Sequence, residues 1–268
     1  MPKKNRYLSP NTPSSSETSA SASGFSPAIW WTAKQRIETV DDLLKEIPCR
    51  SPKAAEQVRV IYAVGANKFQ EHELLLDLFP NIEQIYLFEP IPKLVEHLEE
   101  ATANLDYVRV FPYAISDHEG IADFHITNNL ESSSLLELEK HKEVYPWVEK
   151  TETVKVQCRK LETVMHEFNL RAPDLLFVDV QGAEYQIISS LTDKLLSSLK
   201  LLYTEASTIE FYKGAKNLRD IQDCLNDRFH FLGFSAQENR VRNHGNALFM
   251  NKSLAYTLPD VPPDQQHE

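Results

Sequence analysis

Residues 174–180 read Asp-Leu-Leu-Phe-Val-Asp-Val, an almost unbroken apolar run no longer than one strand. A strand of that kind is covered on both faces, as in a parallel sheet flanked by helices; a strand with one wet face alternates instead. Parallel neighbours need crossover helices between them, and the chain supplies the alternation. Arg59–Val64, Gln84–Phe88 and Tyr107–Phe111 are short runs rich in β-branched and aromatic residues. Between them Leu74, Leu75, Leu78 and Phe79, then Leu94, Leu98, Ala101 and Leu105, recur at helical spacing. Ile121–Ile126 reads as a hairpin-type strand added after the turn at Asp117–Gly120. Leu161, Val164, Met165 and Phe168 mark another amphipathic helix. After the run at 174–180 the pattern predicts a helix over 183–196, a strand over 199–204, a helix over 215–226 and two closing strands at 229–235 and 246–250. The expected fold is α/β, a doubly wound and mostly parallel sheet with an antiparallel C-terminal edge hairpin.

The ends differ in kind. Residues 9–27 are a Ser/Thr/Pro/Ala tract with nothing to bury, so 1–27 is expected to be a disordered leader. Residues 28–56 read as an N-terminal helical extension, in which Ile29-Trp30-Trp31 precedes the capped amphipathic segment Thr39–Leu44. The main domain spans 57–256, and the Pro-rich stretch 257–268 is expected to be a disordered tail.

A formal net charge of −11 argues against a broad basic face for nucleic acid. No apolar run reaches the ~20 residues of a membrane span, and no hydrophobic stretch follows Lys3, Lys4 and Arg6 as in a secretory signal. Cys49, Cys158 and Cys224 are too few and too scattered for a disulfide framework or a CxxC site. A cytoplasmic protein with no nucleic-acid partner is expected. His72, His125, His141 and His166 have no partners at ligand spacing, so no metal is expected.

Open parallel sheets bind ligands beyond the carboxyl ends of their strands, where the strand order switches. The residues that follow each strand therefore matter most. Val64-Gly65-Ala66-Asn67 ends the first strand, and Glu89 ends the second, 24 residues past Gly65. A glycine at the first turn and an acidic residue about 20 positions on suit a ribose-containing ligand. The second and third glycines of a dinucleotide fingerprint are absent, with Asn67 and Lys68–Phe69 in their place, which counts against NAD. S-adenosylmethionine has no phosphate to cradle, and its sulfonium cation suits an acidic pocket.

The set Val64-Gly65-Ala66-Asn67, Phe88-Glu89-Pro90, Ala114-Ile115-Ser116-Asp117 with Gly120, Ser132-Ser133-Ser134-Leu135, Asp179-Val180-Gln181-Gly182-Ala183-Glu184, Glu205, Tyr212-Lys213-Gly214 and Ala247-Leu248-Phe249 resembles the FkbM-type S-adenosylmethionine-dependent methyltransferases. The resemblance covers roughly 58–251 in order. It implies a Rossmann-like methyltransferase fold, S-adenosylmethionine as cofactor, and transfer to a hydroxyl of a small-molecule, sugar or lipid-like acceptor. It further implies that Gly65, Ala66 and Asn67 line the methionyl and ribose side, that Glu89 takes the ribose hydroxyls, and that Ser116 and Asp117 edge the adenine. Asp179, also facing the cofactor, joins Glu184 and Glu205 as the catalytic candidates. The plainer readings are an ordinary Asp turn at Ser116-Asp117, a helix cap at Asp179, and helix-capping serines at Ser132–Ser134. Members of that family carry an acidic or amide residue where Ala63 stands, a glycine where Phe69 stands and Glu where Gln181 stands. The departures at Ala63 and Phe69 motivate an alternative, a binding or regulatory protein on a methyltransferase fold without catalysis.

Overall fold

In the computed structural model, residues 40–140, 143, 145–236 and 243–254 are described. The expectations for the leader 1–27, for Ile29–Trp31 and for the tail 257–268 lie outside them. The apolar runs become one seven-stranded sheet made of β1 (Val60–Val64), β2 (Gln84–Phe88), β3 (Val108–Phe111), β7 (Leu175–Val178), β8 (Leu201–Ser207), β9 (Phe229–Ala236) and β10 (His244–Asn251). A second sheet holds β4 (Ala114–Ile115), β5 (Gly120–Thr127) and β6 (Lys150–Arg159). The helices are α1 (Val40–Arg50), α2 (Pro52–Gln57), α3 (His72–Leu78), α4 (Pro92–Thr102), α5 (Leu161–Glu167), α6 (Glu184–Ser190), α7 (Asp193–Ser198) and α8 (Leu218–Leu225).

The main sheet runs β3-β2-β1-β7-β8-β10-β9. Its first five strands are parallel, and β10 is antiparallel to both β8 and β9. Alternate residues of each central strand enter opposite cores. Val60, Tyr62 and Val64 pack with Leu161, Ile187 and Ile221 from α5, α6 and α8. Ile61 and Ala63 pack with Leu43, Ala55, Leu75 and Leu98 from α1 to α4. Both faces are dry, which is why the runs are apolar throughout rather than alternating.

The closing antiparallel pair stands at the sheet edge as expected, with β10 beside β8 and β9 outermost. Two details differ from the sequence expectation. The helix expected over 183–196 is two helices, α6 and α7, separated at Leu191-Thr192, where the Thr192 side chain accepts from the Leu195 N–H and caps α7. β5 pairs along its length with β6, an element the apolar-run reading does not reach. β6 reads Lys-Thr-Glu-Thr-Val-Lys-Val-Gln-Cys-Arg, and only Val156 and Cys158 are buried.

The last helix is held by a reciprocal cap: Asn217 accepts from the Asp220 N–H, and the Asp220 side chain accepts from the Asn217 N–H. Asn217→Ala is therefore expected to cost about 1 kcal/mol, read as a Tm loss of about 2–4 °C by calorimetry.

Candidate active site

The strand order reverses between β1 and β7, and a cleft of about 510 Å³ opens at the carboxyl ends of these strands. Gly65 sits where β1 leaves the sheet, with φ +80°. The neighbouring Asp179 N–H donates to the Val64 carbonyl at 3.0 Å. A Cβ on Gly65 would stand 1.8 Å from the Asp179 carbonyl oxygen. The glycine is thus required by the approach of the β7 end. Gly65→Ala should cost about 1–2 kcal/mol for the left-handed backbone and about 1–3 kcal/mol to push the overlap apart. Urea unfolding would measure this, and an unchanged midpoint would refute it.

Glu89 is only 4% exposed. Its Oε2 accepts from the Asn67 N–H and its Oε1 from the Ile91 N–H, both at 2.9 Å. The carboxylate thereby ties the loop after β1 to the start of α4. Burial raises its pKa, and the two backbone N–H groups oppose that rise. Asn67 is left-handed at φ +48°, and its side-chain Oδ1 is buried without a hydrogen-bond partner. Phe69, at φ +51°, keeps the left-handed backbone that a glycine adopts freely. Its ring is buried in the core shared by α1 to α4.

Across the cleft, carboxyl oxygens of Asp179, Glu184 and Glu205 lie within 4.8 Å of one another. Glu184 does not line the cleft. It accepts from the Val180 N–H and, through both oxygens, from the Gly182 N–H, all at 3.0 Å. Burial, then the Glu205 charge, raises it to about 7. Asp179 lines the cleft and has an exposed side chain, yet loss of surrounding water and then the Glu205 charge raise it well above the usual range. It does not cap a helix; the loop into α6 is closed by Glu184. Gln181 donates to Asp179 Oδ1 at 2.7 Å and to Glu205 Oε2 at 2.8 Å. Glu205 Oε1 meets His244 Nε2 at 2.8 Å. His244 is 7% exposed and its ring stacks on Phe211 at 4.7 Å. Burial pushes its pKa down, but the Glu205 charge and hydrogen bond outweigh this and raise it.

Gly65, Ala66, Asn67, Glu89, Asp179 and Glu205 therefore share one cleft. Ser116 and Asp117 lie outside its lining, where Asp117 pairs with His118 at 2.7 Å; the stretch before them, Tyr113–Ile115, meets the cleft instead. Ser132 and Ser133 line it, and Ser133 Oγ accepts from the Thr127 N–H at 3.1 Å. His244, Asn246, Tyr203 and Trp147 also line the cleft, and no spacing in the sequence points to them. Trp147 is 65% exposed and starts a row of rings, Trp147–Tyr145–Phe211–His244, with centroids 5.6, 6.0 and 4.7 Å apart. Among the described residues the lining holds five carboxylates (Glu71, Glu89, Glu131, Asp179 and Glu205) against one lysine, Lys68.

Residues 64–235 match the family model described as the methyltransferase FkbM domain. The 2-O-methyltransferase NoeI of Sinorhizobium fredii (strain NBRC 101917 / NGR234) is 34% identical over 173 residues, which is 62% of this chain and 70% of that protein. Among solved structures, the methyltransferase FkbM from Methylobacillus flagellatus KT is 12% identical, with a TM-score of 0.47. That match covers 73% of this chain and 44% of the other. The N-methyltransferase NodS from Bradyrhizobium japonicum WM9, in complex with S-adenosyl-L-homocysteine, is 10% identical with a TM-score of 0.39, over 79% of this chain and 84% of that one.

Proposed function

We propose that this chain, which belongs to the FkbM methyltransferase family, methylates a hydroxyl oxygen of an uncharged small-molecule, sugar or lipid-like acceptor with S-adenosylmethionine as the donor. The observation that carries this reading is the pairing, in one cleft at the strand switch point, of a Glu89 carboxylate held by two backbone N–H groups with an acid cluster opposite.

The residues present fit that cofactor. Both Glu89 oxygens keep lone pairs free to accept from ribose hydroxyls. The buried Asn67 Oδ1 lacks a partner and suits a donor on the methionyl end. An acidic lining favours a sulfonium cation. When bound, the cofactor would supply an electrophilic methyl group. The chain's part is to align the acceptor oxygen with it and to exclude water. Asp179 takes the hydroxyl proton, and its raised pKa brings it nearer the range in which a base is useful. Glu184 stands outside the cleft lining and accepts from the Val180 and Gly182 N–H groups, so its role is to shape the loop. We read the three acids as a proton-holding cluster and not a metal centre, because the Gln181 amide lies between Asp179 and Glu205.

The excess of carboxylates over lysine argues against acceptors that carry phosphate or carboxylate, nucleic acid included. No described helix is long and apolar enough to cross a membrane. Calorimetry with S-adenosylhomocysteine and NAD in parallel tests the cofactor. Labelled S-adenosylmethionine offered with neutral and phosphorylated hydroxyl compounds tests the acceptor. Binding of NAD alone would overturn the first assignment, and methylation of phosphorylated compounds alone would overturn the second.

A further inference from the structure

Gln181 stands at the centre of the acid cluster, and the chemistry above gives it no part. Its amide nitrogen reaches Asp179 Oδ1 and Glu205 Oε2, so each of its two N–H bonds has an acid to donate to. Its amide oxygen accepts from the Tyr212 hydroxyl at 2.6 Å, and its backbone carbonyl accepts from Ser134 Oγ at 2.7 Å. A hydroxyl on one side and two carboxylates on the other decide which end of the amide is nitrogen. The backbone is left-handed at φ +59°, a conformation disfavoured for a residue with a Cβ and held here by these contacts. A Cβ on the next residue, Gly182, would stand 2.8 Å from Tyr212, so the loop is seated directly on that ring.

The chemistry of the position is narrow. A glutamate there could not donate and would add a further carboxylate to the cluster. A lysine or arginine would neutralise one acid outright. A neutral group with two donors joins two carboxylates without changing the charge. The other titratable groups facing the pair are Glu184 and Glu71 on Asp179, His244 and Glu184 on Glu205, and the Tyr212 hydroxyl beyond.

We propose that Gln181 is a positioning residue that fixes Asp179 at the cleft and ties its charge to that of Glu205, so that the two carboxylates act as a single base. The role rests on the methyl-transfer reading, but its test does not. The hydrogen bond from Gln181 opposes the rise in the Asp179 pKa, and losing a bond to a charged group moves a titration by about one to two pH units.

The experiment follows the Asp179 side-chain carboxyl carbon by NMR in the full chain, labelled with 13C-aspartate and assigned with Asp179→Asn. Gln181→Met keeps the length and removes both donors, and it should shift the Asp179 midpoint upward by about one to two pH units. Gln181→Glu should also shift it upward, because a carboxylate replaces a donor. An unchanged midpoint in folded Gln181→Met overturns the proposal. Should that variant fail to fold, Gln181→Leu removes both donors in a side chain of similar volume and is titrated in its place. An upward shift there supports the proposal, and no shift overturns it. S-adenosylhomocysteine binding, measured in parallel on wild type, separates the two readings. Its absence would defeat the cofactor assignment, while the carboxyl titration would still decide the role of Gln181.

Discussion

Glu89→Ala is expected to weaken S-adenosylhomocysteine binding by at least about tenfold, since even one lost bond to a charged acceptor exceeds the 1.4 kcal/mol that a factor of ten represents. The substitution acts twice. It removes the acceptor proposed for the ribose hydroxyls, and it strands the Asn67 and Ile91 N–H groups that the carboxylate now satisfies. The second effect should cost about 1–3 kcal/mol of stability for each donor left buried without a partner, so Tm should fall as well. Glu89→Gln separates the effects. Its amide offers one oxygen and one nitrogen, so it can satisfy one backbone donor and meets the other with a second donor. Binding and stability should both lie between wild type and Glu89→Ala. Calorimetric affinity equal to wild type in Glu89→Ala, with Tm reduced, would make Glu89 a loop clamp only and remove the ribose assignment.

Legibility in the sequence followed burial. β1, β2 and β7 are covered on both faces, so their runs are apolar and their places could be read directly. β6 has an exposed polar face and little buried surface, and nothing in its composition separates it from a loop. The break between α6 and α7 rests on one hydroxyl cap at Thr192, which a scan for apolar spacing passes over. Within the site, Gly65, Asn67, Glu89 and Asp179 follow parallel strands directly, and the switch-point rule leads to them. His244 could not be reached that way. It enters because β10 runs antiparallel beside β8 and puts Asn246 opposite Glu205, a register set by the closing hairpin and not by any local motif. Glu184, a catalytic candidate from its acidic motif, stands outside the cleft lining, and its oxygens accept from the Val180 and Gly182 N–H groups, which no motif spacing foretells.

Asp179→Asn should slow methyl transfer to the best neutral acceptor by about 10²–10⁴-fold, the usual cost of removing a positioned base, and yet make the protein more stable at pH 8. Asparagine keeps an oxygen to accept from Gln181, so the loop geometry survives. What it removes is one charge held beside Glu205 and Glu184. The sign follows from the direction of the shifts. Asp179 and Glu184 both bind protons more tightly folded than their ordinary carboxyl values of 3.8 and 4.5 imply. The native state therefore holds more protons than the unfolded chain, and stability falls as pH rises through that window. For Glu184 the window runs from about 4.5 to about 7. At pH 8, above the Glu184 window, the variant lacks the carboxyl that the Glu184 and Glu205 charges oppose, and each kcal/mol relieved would appear as about 2–4 °C in Tm. Near pH 4, below that window, Asp179 and Glu184 hold their protons, and the gain should vanish. Calorimetric melts of both proteins from pH 4 to 8 measure it. A variant that is no more stable than wild type at pH 8, or a gain of equal size at every pH, would show that the acids are not strained by one another's charge.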